Sequence, residues 1–109
     1  MTKEDLINVL KNIKIQVDEG ITNMDKDDVF PRIVFWDYVW KDITASGEAY
    51  NTLVTYQISF RSLEPRDSKL IALKKELAKV NLFPEIYHEY IENKREWHSY
   101  FSVDVLENI

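Results

Sequence analysis

The spacing of apolar residues changes along this chain, and each change marks an element. Val54, Tyr56, Ile58 and Phe60 point one way, and Thr55, Gln57, Ser59 and Arg61 point the other. That period of two predicts a strand with one face on a core and one face in water. The preceding run, 31–40, is apolar on both faces. Ile33, Phe35 and Val39 take one face, and Val34, Trp36, Tyr38 and Trp40 the other. Such a strand is covered on both sides, or its second face meets another chain. A polar connection over 41–49, containing Ser46-Gly47, joins the two runs, so 31–63 reads as one long antiparallel hairpin.

Helical spacing flanks the hairpin. Thr2 with Asp5 forms a capping box in which Asp replaces the usual Glu or Gln, and Leu6, Ile7, Leu10 and Ile13 follow at helical intervals. A helix over 3–12 is expected. Ile13, Ile15 and Val17 then alternate with Lys14 and Gln16 as a short strand, and 18–30 reads as an acidic loop. After the hairpin, Glu64-Pro65-Arg66-Asp67-Ser68 starts a second helix. Its stripe is Leu70, Leu73, Leu77 and Val80, with Lys69, Lys74, Lys75 and Lys79 opposite; Asn81 and Pro84 stop it. Residues 85–92 and 97–105 read as strands joined by an Asn93-Lys94-Arg95 turn, and 107–109 as a frayed end. The expected fold is a single α+β domain spanning 1–109. Its order is α-β-ββ-α-ββ, a mostly antiparallel sheet built from two hairpins with two helices packed on one face.

Composition narrows the function. A chain of 109 residues, 45% hydrophobic, supports one core without staples. It has no cysteine, hence no disulfide framework or thiolate chemistry. No apolar run approaches the roughly 20 residues of a membrane helix, and Met1 to Asp5 lacks the start of a signal peptide. Neither a membrane partner nor sequence-specific nucleic acid binding is expected, since a net charge of −5 opposes a phosphate-gripping surface. The charge is uneven, however. Residues 18–28 hold Asp18, Glu19, Asp25, Asp27 and Asp28 against Lys26, while 61–79 hold six basic and three acidic residues. An acidic and a basic patch on one small body suit head-to-tail self-association, although mixed charge is also the ordinary state of a solvated surface.

Candidate chemistry is sparse. His88 and His98 fall on adjacent predicted strands and could approach one another, but a metal or catalytic site needs a third partner, and Glu89 or Glu92 would have to converge on them. Asp25-Lys26-Asp27-Asp28 lacks the glycine and distal Glu of a calcium loop. Ser46-Gly47 lies between strands rather than in a strand-turn-helix elbow, and two glycines cannot build a phosphate cradle. The chain reads as a binding or assembly module, with no enzyme activity and no cofactor or metal expected. The candidate interface is aromatic at Trp36, Tyr38 and Trp40, acidic at Asp25, Asp27 and Asp28, and basic at Lys74 and Lys75.

Several stretches in order carry a family resemblance. Pro31-Arg32-Ile33-Val34-Phe35 follows an acidic loop; Ala45-Ser46-Gly47-Glu48-Ala49-Tyr50 leads into the strand ending Ile58-Ser59-Phe60. A short helix, Phe83, Tyr90-Ile91-Glu92 and the closing strand from Trp97 to Val105 complete the order. This order resembles the tail-terminator or tail-completion proteins, small structural proteins of phages and prophages of Gram-positive hosts. The resemblance implies an α+β fold and a ring, usually of six copies, at the head-proximal end of the tail tube. It implies as partners the protein itself, the tail-tube protein and the head-completion or connector proteins. The place would be the tail or neck of a virion assembled in the bacterial cytoplasm. The family offers no catalytic residues to carry over, and Trp36, Tyr38 and Trp40 have no counterpart role in it. The competing reading is a monomeric adaptor or regulator that binds a host protein through an exposed sheet edge.

Overall fold

A computed structural model describes residues 1–20, 29–45 and 48–109. Two helices and five strands follow the expected order: α1 (Lys3–Lys11), β1 (Gln16–Glu19), β2 (Arg32–Ala45), β3 (Glu48–Ser62), α2 (Ser68–Lys79), β4 (Tyr87–Ile91) and β5 (Glu96–Glu107). The strands form one sheet in the order β1-β2-β3-β5-β4. Every pairing is antiparallel except β1 with β2, which is parallel.

Local chemistry sets the helix ends. The Thr2 hydroxyl accepts from the Asp5 amide and the Asp5 carboxylate accepts from the Thr2 amide, both at 3.1 Å, closing the capping box. Asp67 caps α2 by accepting from the Lys69 amide at 2.8 Å. At the other end Asn81 takes φ 61, so its amide reaches the Ala78 carbonyl and that of Leu82 reaches Leu77. Two orphan carbonyls are thereby satisfied, a role suited to an Asn in the left-handed region.

Both helices pack on one face of the sheet. Leu6, Val9, Leu10 and Ile13 meet Leu70, Leu73 and Leu77 over Ile33, Phe35, Val54, Tyr56, Ile58, Phe60, Phe101, Val103 and Val105. The alternation of β3 and the leucine stripe of α2 thus share one core, as expected. Val80 lies beyond the stripe, 41% exposed, because α2 ends at Lys79.

Four expectations need correction. The first short strand lies at Gln16–Glu19 rather than at Ile13, Ile15 and Val17. Lys14, with φ 57, turns the chain between helix and strand. The polar stretch over 41–49 is mostly ladder: Lys41 pairs with Leu53, Asp42 with Thr52 and Ile43 with Asn51. Polar side chains are compatible with strand here because Lys41 to Thr44 are all exposed, so this part of β2 carries no burial signal. The connecting Ser46-Gly47 lies outside the described residues. Glu107 belongs to β5 and accepts a hydrogen bond from Tyr56, so the end begins to loosen only after it.

The fourth correction concerns the faces of β2. A bulge interrupts the ladder between Asp37 and Val39, leaving Tyr38 without a partner. An extra residue shifts the alternation by one. Val39 therefore pairs with Thr55 on the helix-free face, and Trp40 pairs with Val54 on the helix side. Trp40 does not share a face with Trp36.

Candidate functional site: a projecting hairpin and the helix-free face

The β2–β3 hairpin outruns the rest of the sheet. On one flank β5 stops at Glu107, opposite Thr52; on the other, β1 stops at Glu19, opposite Phe35. Gly20, at φ 85, closes β1 by donating its amide to the Phe35 carbonyl at 2.8 Å. Beyond Phe35 the β2 edge is free of β1; this projecting part of the hairpin, still flanked by β5 as far as Thr52 and two-stranded only past it, forms an arm. Val39, Trp40 and Ile43 are exposed on it, Trp40 by 61%. Only the tip past Thr52 is a two-stranded ribbon, which gains little stability by itself, and the apolar side chains exposed along the free β2 edge on both faces require a further reason.

Trp40 is held in place. Its indole Nε1 donates to the Asp37 carboxylate, and Asp42 accepts from the Thr52 hydroxyl at 2.9 Å. Asp37, Trp40 and Asp42 pair with Tyr56, Val54 and Thr52, so all three lie on the helix-side face. Tyr38 takes the opposite course. Its hydroxyl lies 3.1 Å from the Ser102 hydroxyl on β5, so the bulged residue lies across the helix-free face with 53% of its surface exposed. Trp36, opposite Gln57, is half-buried on the same face.

That face is not uniformly bare. Arg32, Val34 and Ser59 are buried on it near β1, so it is the region nearer the arm that stands open. At the end of the sheet away from the arm one row crosses all five strands: Gln16, Arg32, Arg61, His98 and Glu89 are successive partners. His98 Nε2 lies 2.7 Å from the Glu96 carboxylate.

The two histidines do not come together. His88 pairs with Ser99 and His98 with Glu89, so they lie one position apart in register and face opposite sides of the sheet. His88 Nδ1 meets the Ser99 hydroxyl at 2.8 Å. Among the described residues no group of three His, Cys, Asp or Glu side chains is placed to hold a metal ion.

Lys74 and Lys75 are exposed on α2. Lys74 lines a cleft between α2 and β4, a feature that strand and helix patterns alone did not signal, since it forms where Pro84 and Ile86 fold back toward the helix. Asp25, Asp27 and Asp28 lie outside the described residues.

No family model and no curated protein matches the chain. Among solved structures it is similar to a sheath/tube terminator, PVC, of an extracellular contractile injection system, determined by cryo-EM in the extended state. The identity is 10% and the TM-score 0.34, over 100% of this chain and 58% of that one. This chain therefore spans less than two thirds of that protein's length.

Proposed function

We propose that this chain is a non-enzymatic structural protein of a phage or prophage tail, of the tail-terminator or tail-completion type. In this reading copies of the chain form a ring at the head-proximal end of the tail tube, six by the sequence resemblance. The ring ends tube growth and offers a surface to the head-completion or connector proteins. It resides in the tail or neck of the virion after assembly in the host cytoplasm; a Gram-positive host rests on the sequence resemblance alone. The observation that carries the reading is the projecting arm, with Val39, Trp40 and Ile43 exposed along the free edge of β2. Exposed apolar groups gathered on one projection mark a protein-binding surface, and aromatics are favoured at interface centres.

A complementation assay tests it. A phage lacking this gene, supplied with the Trp40→Ala variant, should fail to complete tails while the variant protein folds normally. Full complementation would remove the arm from the function.

One observation favours a second reading. Among the described residues the outer edge of β4 pairs with no strand, and Tyr87 and Tyr90 are exposed on it. An extended peptide of a host protein could add there as a sixth strand. Under that reading the chain binds as a monomer, and changes on the arm leave binding intact.

A further inference from the structure

The arm and the cleft beside α2 have matching chemistry at opposite ends of the molecule. On the arm, Trp40 stands exposed between two exposed carboxylates, Asp37 and Asp42, on the helix-side face. Beside α2, an apolar floor of Leu70, Ile71, Pro84 and Ile86 is rimmed by the cations Arg66 and Lys74. His88 joins this cleft to a second one walled by Trp97 and Pro65. The two volumes are ≈ 310 and ≈ 200 Å³. Phe83, 74% exposed, lies next to the Pro84 wall.

The arm cannot reach its own cleft. Thr52, opposite Asp42, and Ser62, opposite Trp97, are separated by ten residues of β3, roughly 30 Å of extended chain. A rigid ladder over that span prevents folding back. We propose that the cleft between α2 and β4 receives the hairpin arm of a second copy of this chain. Trp40 fills the apolar floor, and Asp37 and Asp42 face Arg66 and Lys74. Donor and acceptor differ, so the contact is heterologous and propagates head to tail until it closes into a ring. The aromatic anchor supplies the affinity and the carboxylate–cation pairs set register. This contact rests on the ring reading above and names the surfaces that would form it.

The chain has no cysteine, so site-directed disulfide trapping has no background. Thr44→Cys and Ile71→Cys proteins, which keep the Trp40 anchor, mixed and oxidised, should give a cross-linked dimer in clear excess over the control pair Thr55→Cys and Ile71→Cys. Asp42→Lys should weaken self-association roughly tenfold or more, the mark of an interface residue worth more than 1.4 kcal/mol. Lys74→Glu should do the same, and an equimolar mixture of these two variants should recover part of the loss. Equal trapping in both pairs, or no trapping at millimolar protein, would overturn the contact. So would self-association indifferent to both charge reversals. Specific trapping by a protein whose loss leaves phage tails normal would keep the contact and reject only the tail reading.

Discussion

The phenol of Tyr56 donates its hydrogen to Oε2 of Glu107 at 2.8 Å, tying the core face of β3 to the last residue of β5. The ring is 2% exposed and packs against Phe35 at 5.9 Å between centroids. Tyr56→Phe keeps that packing and removes only the hydroxyl. It should cost about 1–3 kcal/mol in urea unfolding, because Glu107 loses its donor. A cost near zero would mean that water replaces the bond freely.

Burial pushes the Tyr56 phenol up from its ordinary value, and the Glu107 carboxylate adds to the shift through its hydrogen bond and its charge. The unfolded chain loses this proton near pH 10 while the folded chain keeps it. Above that pH the unfolded state holds fewer protons, so stability falls as pH rises. The stability advantage of the wild type over Tyr56→Phe should be fully present below about pH 10 and shrink above it. An advantage constant up to pH 12 would contradict the assignment.

Phe60 is fully buried at the centre of the shared core, facing α2. Phe60→Ala should therefore cost roughly 3–5 kcal/mol by chemical denaturation, from lost transfer energy and the cavity left behind. A loss under about 1 kcal/mol would place the core elsewhere.

The opposed histidines lead to a thermal prediction. A ligand that binds only the native state raises the melting temperature. Excess zinc should leave it unchanged, since His88 and His98 face opposite sides of the sheet. A rise abolished by the His88→Ala, His98→Ala double variant would require a site formed in some other way.

The core was legible in the sequence because burial imposes periodicity. Val54, Tyr56, Ile58 and Phe60 alternate, and Leu70, Leu73 and Leu77 recur at helical spacing, since each must face the same interior. The capping box at Thr2 and the stop at Asn81 were legible because backbone groups at helix ends demand particular side chains. The arm was not legible. Lys41, Asp42 and Thr44 are all exposed on β2, so with no side chain of their own to bury they look like loop. The bulge at Tyr38 was hidden as well, because one extra residue in a run apolar on both faces leaves no trace in the pattern, yet it sends Trp40 to the helix side. The three aromatics read as one patch prove to be three environments: Trp36 half-buried, Tyr38 lying across the helix-free face, and Trp40 exposed on the arm. Lys74 emerged as a cleft residue only once Pro84 and Ile86 were placed beside α2.

Electron microscopy of particles made by a phage lacking this gene tests the tail-terminator reading most directly. Heads and tails should form separately, with tails of uncontrolled length that are not joined to heads, and expression of the wild-type chain should restore joined tails of uniform length. Tails of normal length, attached to heads in the absence of the gene, would contradict it.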